Sequence, residues 1–327
     1  MESITLNGTD ITTGKIALGT ATFGLNIDEN ECGKIMNEYL ENGGSIIDTA
    51  LVYTDWAPGE RSRSEKIIGR WIKSYSTRNS VIISTKGGHP NLNAFDVPRL
   101  GEPDIISDLE KSLKNLMTDY IDIYFLHRDD VNKDVGEIME TLNKIVLSGK
   151  ARYVGLSNWK PSRIAQAAAY CRKHKISMPV ASQIQFGIAQ PNSDMIDPTT
   201  EYMTKEAYDF YKNEKMTVFS FSSQSGGYFF NLNENGQPNN MTYDNPLSRK
   251  KLKMLNEMTK KYNCSKAALI IAALGANSDF VTIPIIGPSN TNQLRTSMDG
   301  LGLKPENKDV AELLKRDNGS AYGKSAC

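Results

Sequence analysis

Asp48, Tyr53, Lys86 and His127 are the residues whose types and spacing suit proton transfer to a carbonyl oxygen. Three of them close short apolar runs: residues 45–47 lead into Asp48, 81–85 into Lys86 and 121–126 into His127. Tyr53 follows five residues after Asp48, in the next loop. A phenol alone donates poorly at neutral pH, because its ordinary pKa is about 10. A nearby ammonium favours the phenolate, so Lys86 is expected to bring Tyr53 towards neutrality. Asp48 would hold Lys86 in place and charged. His127 would position a carbonyl oxygen and share its developing charge. The set contains no nucleophile for hydrolysis, and hydride transfer would require a cofactor. Taken singly, each residue has an ordinary reading as a rim charge, a packed aromatic or a satisfied histidine. Three such residues at successive strand ends are what favours chemistry.

The elements that must position these residues alternate along the chain. Strand-like runs are read at residues 16–19, 45–48, 81–86, 121–126, 151–156, 180–185, 216–221 and 280–285. Helical stretches follow at 28–42, 65–73, 104–117, 135–147, 161–174, 200–213, 248–262, 265–276 and 291–298, with Asp104 read as a cap. Eight strands each followed by a helix predict a (β/α)8 barrel, whose chemistry sits at the carboxyl ends of its strands. The reading is one domain over 1–327, with an N-terminal extension at 1–15, a long active-face loop at 222–247 and a tail at 315–327, frayed from Asp317 onward. The second loop over the active face, 54–63, contains Asp55, Trp56, Pro58 and Gly59. Long loops on compact domains are often functional.

Composition narrows the partners. Lysine plus arginine number 38, as do aspartate plus glutamate, so the formal net charge is zero and no basic excess points to nucleic acid. Cys32, Cys171, Cys264 and Cys327 are widely spaced, and with three histidines they form no metal-ligand pattern. The N-terminal residues show no signal-peptide pattern, and no run reaches the roughly 20 apolar residues of a membrane helix. A reduced cytoplasmic protein is expected, with no membrane association and an oligomeric state left open. Three Asn-x-Ser/Thr triplets, at Asn7, Asn263 and Asn318, carry no weight without a secretory signal.

Further motifs surround the four residues: Leu18-Gly19-Thr20, Asp48-Thr49-Ala50-x-x-Tyr53, Ser64-Glu65-x-x-Ile68-Gly69, Thr85-Lys86 and Leu126-His127-Arg128-x-Asp130. The segment from Gly149 to Trp159, reading GKARYVGLSNW, and Ile283-Pro284-Ile285-Ile286-Gly287 complete the series. In this order they resemble the aldo-keto reductase superfamily over nearly the whole chain, and residues 85–90 resemble a bacterial branch of it. The resemblance implies a (β/α)8 oxidoreductase that uses NAD(P)H to reduce an aldehyde, ketone or sugar-like carbonyl, or oxidises the alcohol. Tyr53 would be the proton donor, tuned by Lys86 and Asp48, with His127 orienting the carbonyl.

The resemblance also implies a cofactor path. Gly19, Thr20 and Asp48 would lie along it. Ser157, Asn158 and Gln183 would hold the nicotinamide carboxamide, Phe219 would stack on the ring, and Ser220 would neighbour it. Gly287, Ser289, Asn290 and Gln293 would hold the far end, where the helix opening at Thr291 offers backbone N–H groups. Relatives that bind NADP usually place arginine or lysine at that end, and here only Arg295 is nearby. NADP(H) is the family expectation and NAD(H) the alternative. Thr54 stands where many members have glycine. Phe23, Trp56 and His89 are expected to line the substrate pocket. Two other readings stand beside the reductase: a nucleotide-sensing regulatory subunit, and a sugar isomerase or epimerase that retains NAD(P).

Overall fold

The computed structural model describes residues 3–233 and 238–316. The final eleven residues of the expected tail, Cys327 and the Asn318 triplet among them, lie outside the described residues.

Eight parallel strands close a barrel in the order β10-β3-β4-β5-β6-β7-β8-β9. They are β3 (Ala17–Gly19), β4 (Ile46–Asp48), β5 (Ile82–Gly87), β6 (Ile121–Leu126), β7 (Ala151–Ser157), β8 (Ala181–Gln185), β9 (Thr217–Phe221) and β10 (Thr282–Ile286). The chain is therefore a closed (β/α)8 barrel, as the alternation predicts. Residues 3–14 form an antiparallel hairpin, β1 (Ser3–Thr5) with β2 (Thr12–Gly14). Its Leu6 and Ile11 are buried with Ile46, Ile123, Phe125 and Ala181 inside the barrel. The hairpin thus closes the floor opposite the chemical face.

Successive strand residues point to opposite faces, and this separates two cores. Ile16, Leu18, Ile47, Tyr124 and Leu126 face outward and pack under the helices. Ala17, Ile46, Ile123, Phe125, Phe219, Ile283 and Ile285 face the barrel axis. Continuing the inward positions to the strand ends reaches Gly19, Asp48, Lys86, His127, Gln183 and Phe221, all by steps of two. The same periodicity that fills the interior with apolar side chains delivers polar ones to its upper rim.

The helices α1 (Glu29–Glu41), α2 (Arg63–Tyr75), α3 (Glu102–Leu116), α4 (Val135–Leu147), α5 (Pro161–His174) and α6 (Lys205–Glu214) surround the barrel. They are completed by α7 (Pro246–Tyr262), α8 (Lys266–Gly275), α9 (Thr291–Met298) and the short α10 (Asn307–Leu314). Several helix ends shift from the sequence reading, and two of the shifts are informative. Gly101, not Asp104, caps α3, and Asp104 falls in the first turn, where a carboxylate also suits the helix dipole. The helix expected from Thr200 starts at Lys205, capped by the Thr204 hydroxyl. Residues 201–203 instead run extended beside β8, with Gln185 N donating to Glu201 O and Met203 N to Gln185 O.

Candidate active site

Asp48, Lys86, His127 and Tyr53 meet at the top of the barrel. Lys86 Nζ donates to Asp48 Oδ2 at 2.8 Å, to Thr49 O at 2.6 Å and to Tyr53 Oη at 2.9 Å. The ammonium and the carboxylate are both buried. Asp48 Oδ1 accepts from Ser84 Oγ at 2.7 Å and Gln183 Nε2 at 2.9 Å. Each member of this buried ion pair is thus also hydrogen-bonded to neighbours, which a buried charge pair needs to be tolerated. The Tyr53 and His127 rings lie edge to face with centroids 6.0 Å apart.

Burial pushes the Tyr53 phenol above its ordinary range, and Lys86 opposes that push without cancelling it. The expected lowering therefore does not emerge in this form of the protein: desolvation of the phenolate outweighs the neighbouring ammonium. Burial acts to lower Lys86, but Asp48 and then Tyr53 outweigh it, so Lys86 is raised and stays charged. Burial, helped by Arg128, His89 and Lys86, holds His127 well below the usual histidine value. His127 is therefore neutral at pH 7, and its buried Nδ1 has no partner among the described residues. A neutral imidazole carries one N–H donor.

These residues open into a cavity of about 720 Å³ that runs from Tyr53, His127 and Arg128 to Asn292, Gln293 and Thr296. Gly19, Thr20, Asp48, Ser157, Asn158, Gln183, Gly287 and Gln293 all line it, where the sequence reading expected a cofactor path. A side chain at Gly19 would put its Cβ 2.7 Å from Ile285 Cγ2 and 3.2 Å from Ile286 O, so only glycine fits there. Asn158 adopts φ 60°, a left-handed conformation that asparagine tolerates. Its amide is anchored by bonds to His127 O and Ser157 Oγ, and its Oδ1 accepts from Glu201 N.

Several expected residues do not reach the cavity. Phe219 is fully buried inside the barrel against Phe125, with ring centroids 5.5 Å apart. Phe221, two residues further along β9, lines the cavity instead. The two share an inward direction but differ in depth, and only the last strand residue reaches the rim. Ser220, between them, points to the outer face, where its hydroxyl donates to Phe186 O. Ser289 and Asn290 lie outside the lining; Asn290 spends its side chain capping α9 through Gln293 N. Phe23 is fully buried in the outer core, away from the pocket. Trp56 and His89 are not lining residues, but they flank the mouth. Trp56 is 52% exposed, with its ring 6.3 Å from that of Tyr53, and His89 lies 4.8 Å from His127, centroid to centroid.

Residues missed in the sequence reading complete the wall. Ser222, Ser223 and Gln224 follow Phe221, and Gln224 Nε2 reaches across to Ser297 Oγ on α9 at 3.0 Å. On α9, Asn292, Thr296 and Ser297 join the expected Gln293 on one face turned to the cavity. Their spacing of four is a helical-face signal that the sequence does carry. Arg295 falls off that face and pairs with Glu38 of α1, its Nη2 donating to Glu38 Oε2 at 2.9 Å.

The cavity suits a dinucleotide. One end is lined by Ser157 and Asn158 beside the polar catalytic set. The middle is bordered by Gly226, Gly227 and Gly287, where backbone can approach a ligand closely. The far end presents amides and hydroxyls. Among the described residues no group of three His, Cys, Asp or Glu side chains is arranged to hold a metal, and no helix is long and apolar enough to cross a membrane.

Known proteins support the same reading. The chain is 28% identical over 323 residues to the "Uncharacterized oxidoreductase YrpG" of Bacillus subtilis, covering 96% of this chain and 95% of that one. It is 30% identical over 181 residues to "Norsolorinic acid reductase B" of Aspergillus parasiticus, covering 51% of this chain and 46% of the relative. It is 24% identical over 318 residues to "Aryl-alcohol dehydrogenase GME11368" of Pestalotiopsis microspora, covering 92% and 77%. Residues 15–316 match the model of the aldo/keto reductase family, and with the barrel and its polar rim this makes the chain a member of that family, an NAD(P)-dependent oxidoreductase.

Proposed function

We propose that this enzyme reduces an aldehyde or ketone, or oxidises the corresponding alcohol, with Tyr53 passing the proton to or from oxygen. The observation that carries this reading is the hydrogen bond from Lys86 Nζ to Tyr53 Oη, at 2.9 Å. In that bond the lysine donates, so the phenol proton is left to point into the cavity. As negative charge grows on a bound carbonyl oxygen, Tyr53 supplies the proton and the Lys86 ammonium stabilises the phenolate left behind. Asp48 keeps that ammonium fixed and charged. His127, neutral and edge to face with Tyr53, orients the carbonyl oxygen.

A nicotinamide dinucleotide, when bound, supplies or accepts the hydride. Ser157, Asn158 and Gln183 would hold its carboxamide, and Phe221, in place of Phe219, would pack on its ring. The far end has no lysine or arginine among the described lining residues, and Arg295 is held by Glu38. A 2′-phosphate would therefore be bound without charge-assisted hydrogen bonds. We accordingly place NAD(H) ahead of NADP(H), against the family expectation.

Tyr53→Phe tests the proton donor. The variant should lose about 10²–10⁴-fold in turnover, the range expected for a general acid. Its affinity for NADH and for NADPH, titrated in parallel by fluorescence, should change little. Near-normal turnover would remove Tyr53 from the role. Markedly tighter NADPH than NADH binding by the native protein would overturn the cofactor preference.

A further inference from the structure

The cavity wall near Tyr53 holds a guanidinium that the reaction described above does not use. Among the described residues lining the cavity, Arg128 is the sole lysine or arginine. Its side chain is 12% exposed, and burial holds its pKa below the ordinary arginine value while Asp197 opposes that shift. The guanidinium carries five N–H groups. Nη1 donates to His127 O at 3.0 Å, Nε to Thr199 Oγ1 at 2.9 Å, and Nη2 to Asp197 Oδ2 at 3.4 Å.

The last contact is long for a charge-assisted bond, which ordinarily falls at about 2.7–2.9 Å. Asp197 is committed elsewhere: its Oδ1 accepts from Thr199 N at 2.8 Å and from Thr199 Oγ1 at 2.7 Å. It is also 39% exposed, so water already competes for its charge. Asp197 thus compensates Arg128 incompletely, and one N–H on each terminal nitrogen has no partner among the described residues. The other charges of the cavity cancel. Among the described residues Asp48 is the remaining charged lining residue, and it is neutralised by Lys86. The substrate end therefore carries a desolvated positive charge, one residue from the imidazole that faces the carbonyl.

We propose that Arg128 binds a carboxylate on the substrate, so that this enzyme's substrates are carbonyl compounds that also bear an acid group. This rests on the carbonyl reduction proposed above and names its substrate class. A carboxylate in the fork would replace the long Asp197 contact with short paired bonds, and Asp197 would turn to solvent. The acid would then fix the distance of the carbonyl from Arg128, and hence its place against Tyr53 and His127.

The test compares 4-carboxybenzaldehyde with its methyl ester, methyl 4-formylbenzoate, as substrates of the full chain with NADH and with NADPH. The acid is expected to have a kcat/KM at least tenfold above that of the ester, mainly through KM, and the advantage should shrink as salt rises. Arg128→Gln should bring the ratio to one or below. Arg128→Lys, which keeps the charge without the fork, should fall between, and it serves if the glutamine variant fails to fold. Equal use of both aldehydes by the native protein, or an unchanged ratio in Arg128→Gln, would overturn the proposal. Calorimetric titration with 4-(hydroxymethyl)benzoate and its methyl ester judges Arg128 apart from turnover. Tighter binding of the acid, lost in Arg128→Gln, supports the anion site even if neither aldehyde is reduced, an outcome that would count against the reductase reading alone. Equal binding of acid and ester would overturn the anion site whatever the turnover.

Discussion

At the residue scale, the site turns on which member of an alternating pair reaches the rim. Phe219 and Phe221 are chemically identical and point the same way, yet one fills the barrel and the other faces the cavity. Their substitutions should separate cleanly. Phe219→Ala removes a fully buried ring and should cost about 3–5 kcal/mol of stability, read by denaturant unfolding. Phe221→Ala should leave the melting temperature nearly unchanged while weakening dinucleotide binding several-fold, read by fluorescence titration. Loss of cofactor affinity confined to Phe219→Ala would restore the original expectation for the stacking residue. Thr54 shows a different economy. It adopts φ 74°, a conformation rare for a β-branched residue. Arg63 Nη2 donates to its carbonyl at 3.0 Å and fixes it next to Tyr53.

At the scale of elements, the Ser64-Glu65-x-x-Ile68-Gly69 motif explains how α2 is locked to the barrel. Glu65 is fully buried, accepting from Thr85 Oγ1 on β5 at 2.7 Å and from Asn115 Nδ2 on α3 at 2.9 Å. Ser64 Oγ donates to Thr20 O at 2.9 Å, tying the same helix to the loop after β3. Gly69 lets α2 press on the end of α3: a Cβ there would collide with the backbone carbonyl of Asn115 and with Leu116. Backbone cannot yield as a side-chain tip can. Gly69→Ala should therefore destabilise the protein by about 1–3 kcal/mol, as overpacking does. Because α2 carries the residues that hold the 54–63 loop, KM should rise along with the loss of stability. An unchanged unfolding midpoint would show that the two helices can separate without cost.

At the scale of the whole molecule, burying neutral histidines beside cations makes stability depend on pH. Burial chiefly lowers both His127 and His89, with Arg128 adding to each. A histidine whose folded value is depressed takes up fewer protons than in the unfolded chain below about pH 6.5. Their contribution is therefore fully present above that pH and is lost as pH falls. The loss should approach about 1.4 kcal/mol per pH unit for His127, which is held well below its ordinary value, with a smaller addition from His89. The melting temperature should fall between pH 7 and pH 5, and His127→Gln should flatten that fall. An equal slope in the variant would place the acid sensitivity elsewhere, among the carboxylates. The hairpin at the barrel floor belongs to this scale as well. Residues 3–14 read as a mere extension in the sequence, but Leu6 and Ile11 complete the interior core.

The sequence by itself determined the barrel and the strand ends that bear Asp48, Lys86 and His127, because apolar runs closed by a polar residue report both burial and its limit. The Gly19 and Gln183 positions came instead from the order of the motifs and the family they resemble, and both line the cavity. Tertiary structure alone decided the depth of Phe219, the outward turn of Ser220 and the burial of Phe23, since alternation gives direction without height above the barrel floor. It alone tied Arg295 to Glu38, a contact across 257 positions of chain, and so turned that cation off the face of α9 that lines the cavity. It alone also set burial against the lysine at Tyr53: the order of residues shows the lysine nearby, but the cost of desolvating a phenolate arises only once the fold surrounds it.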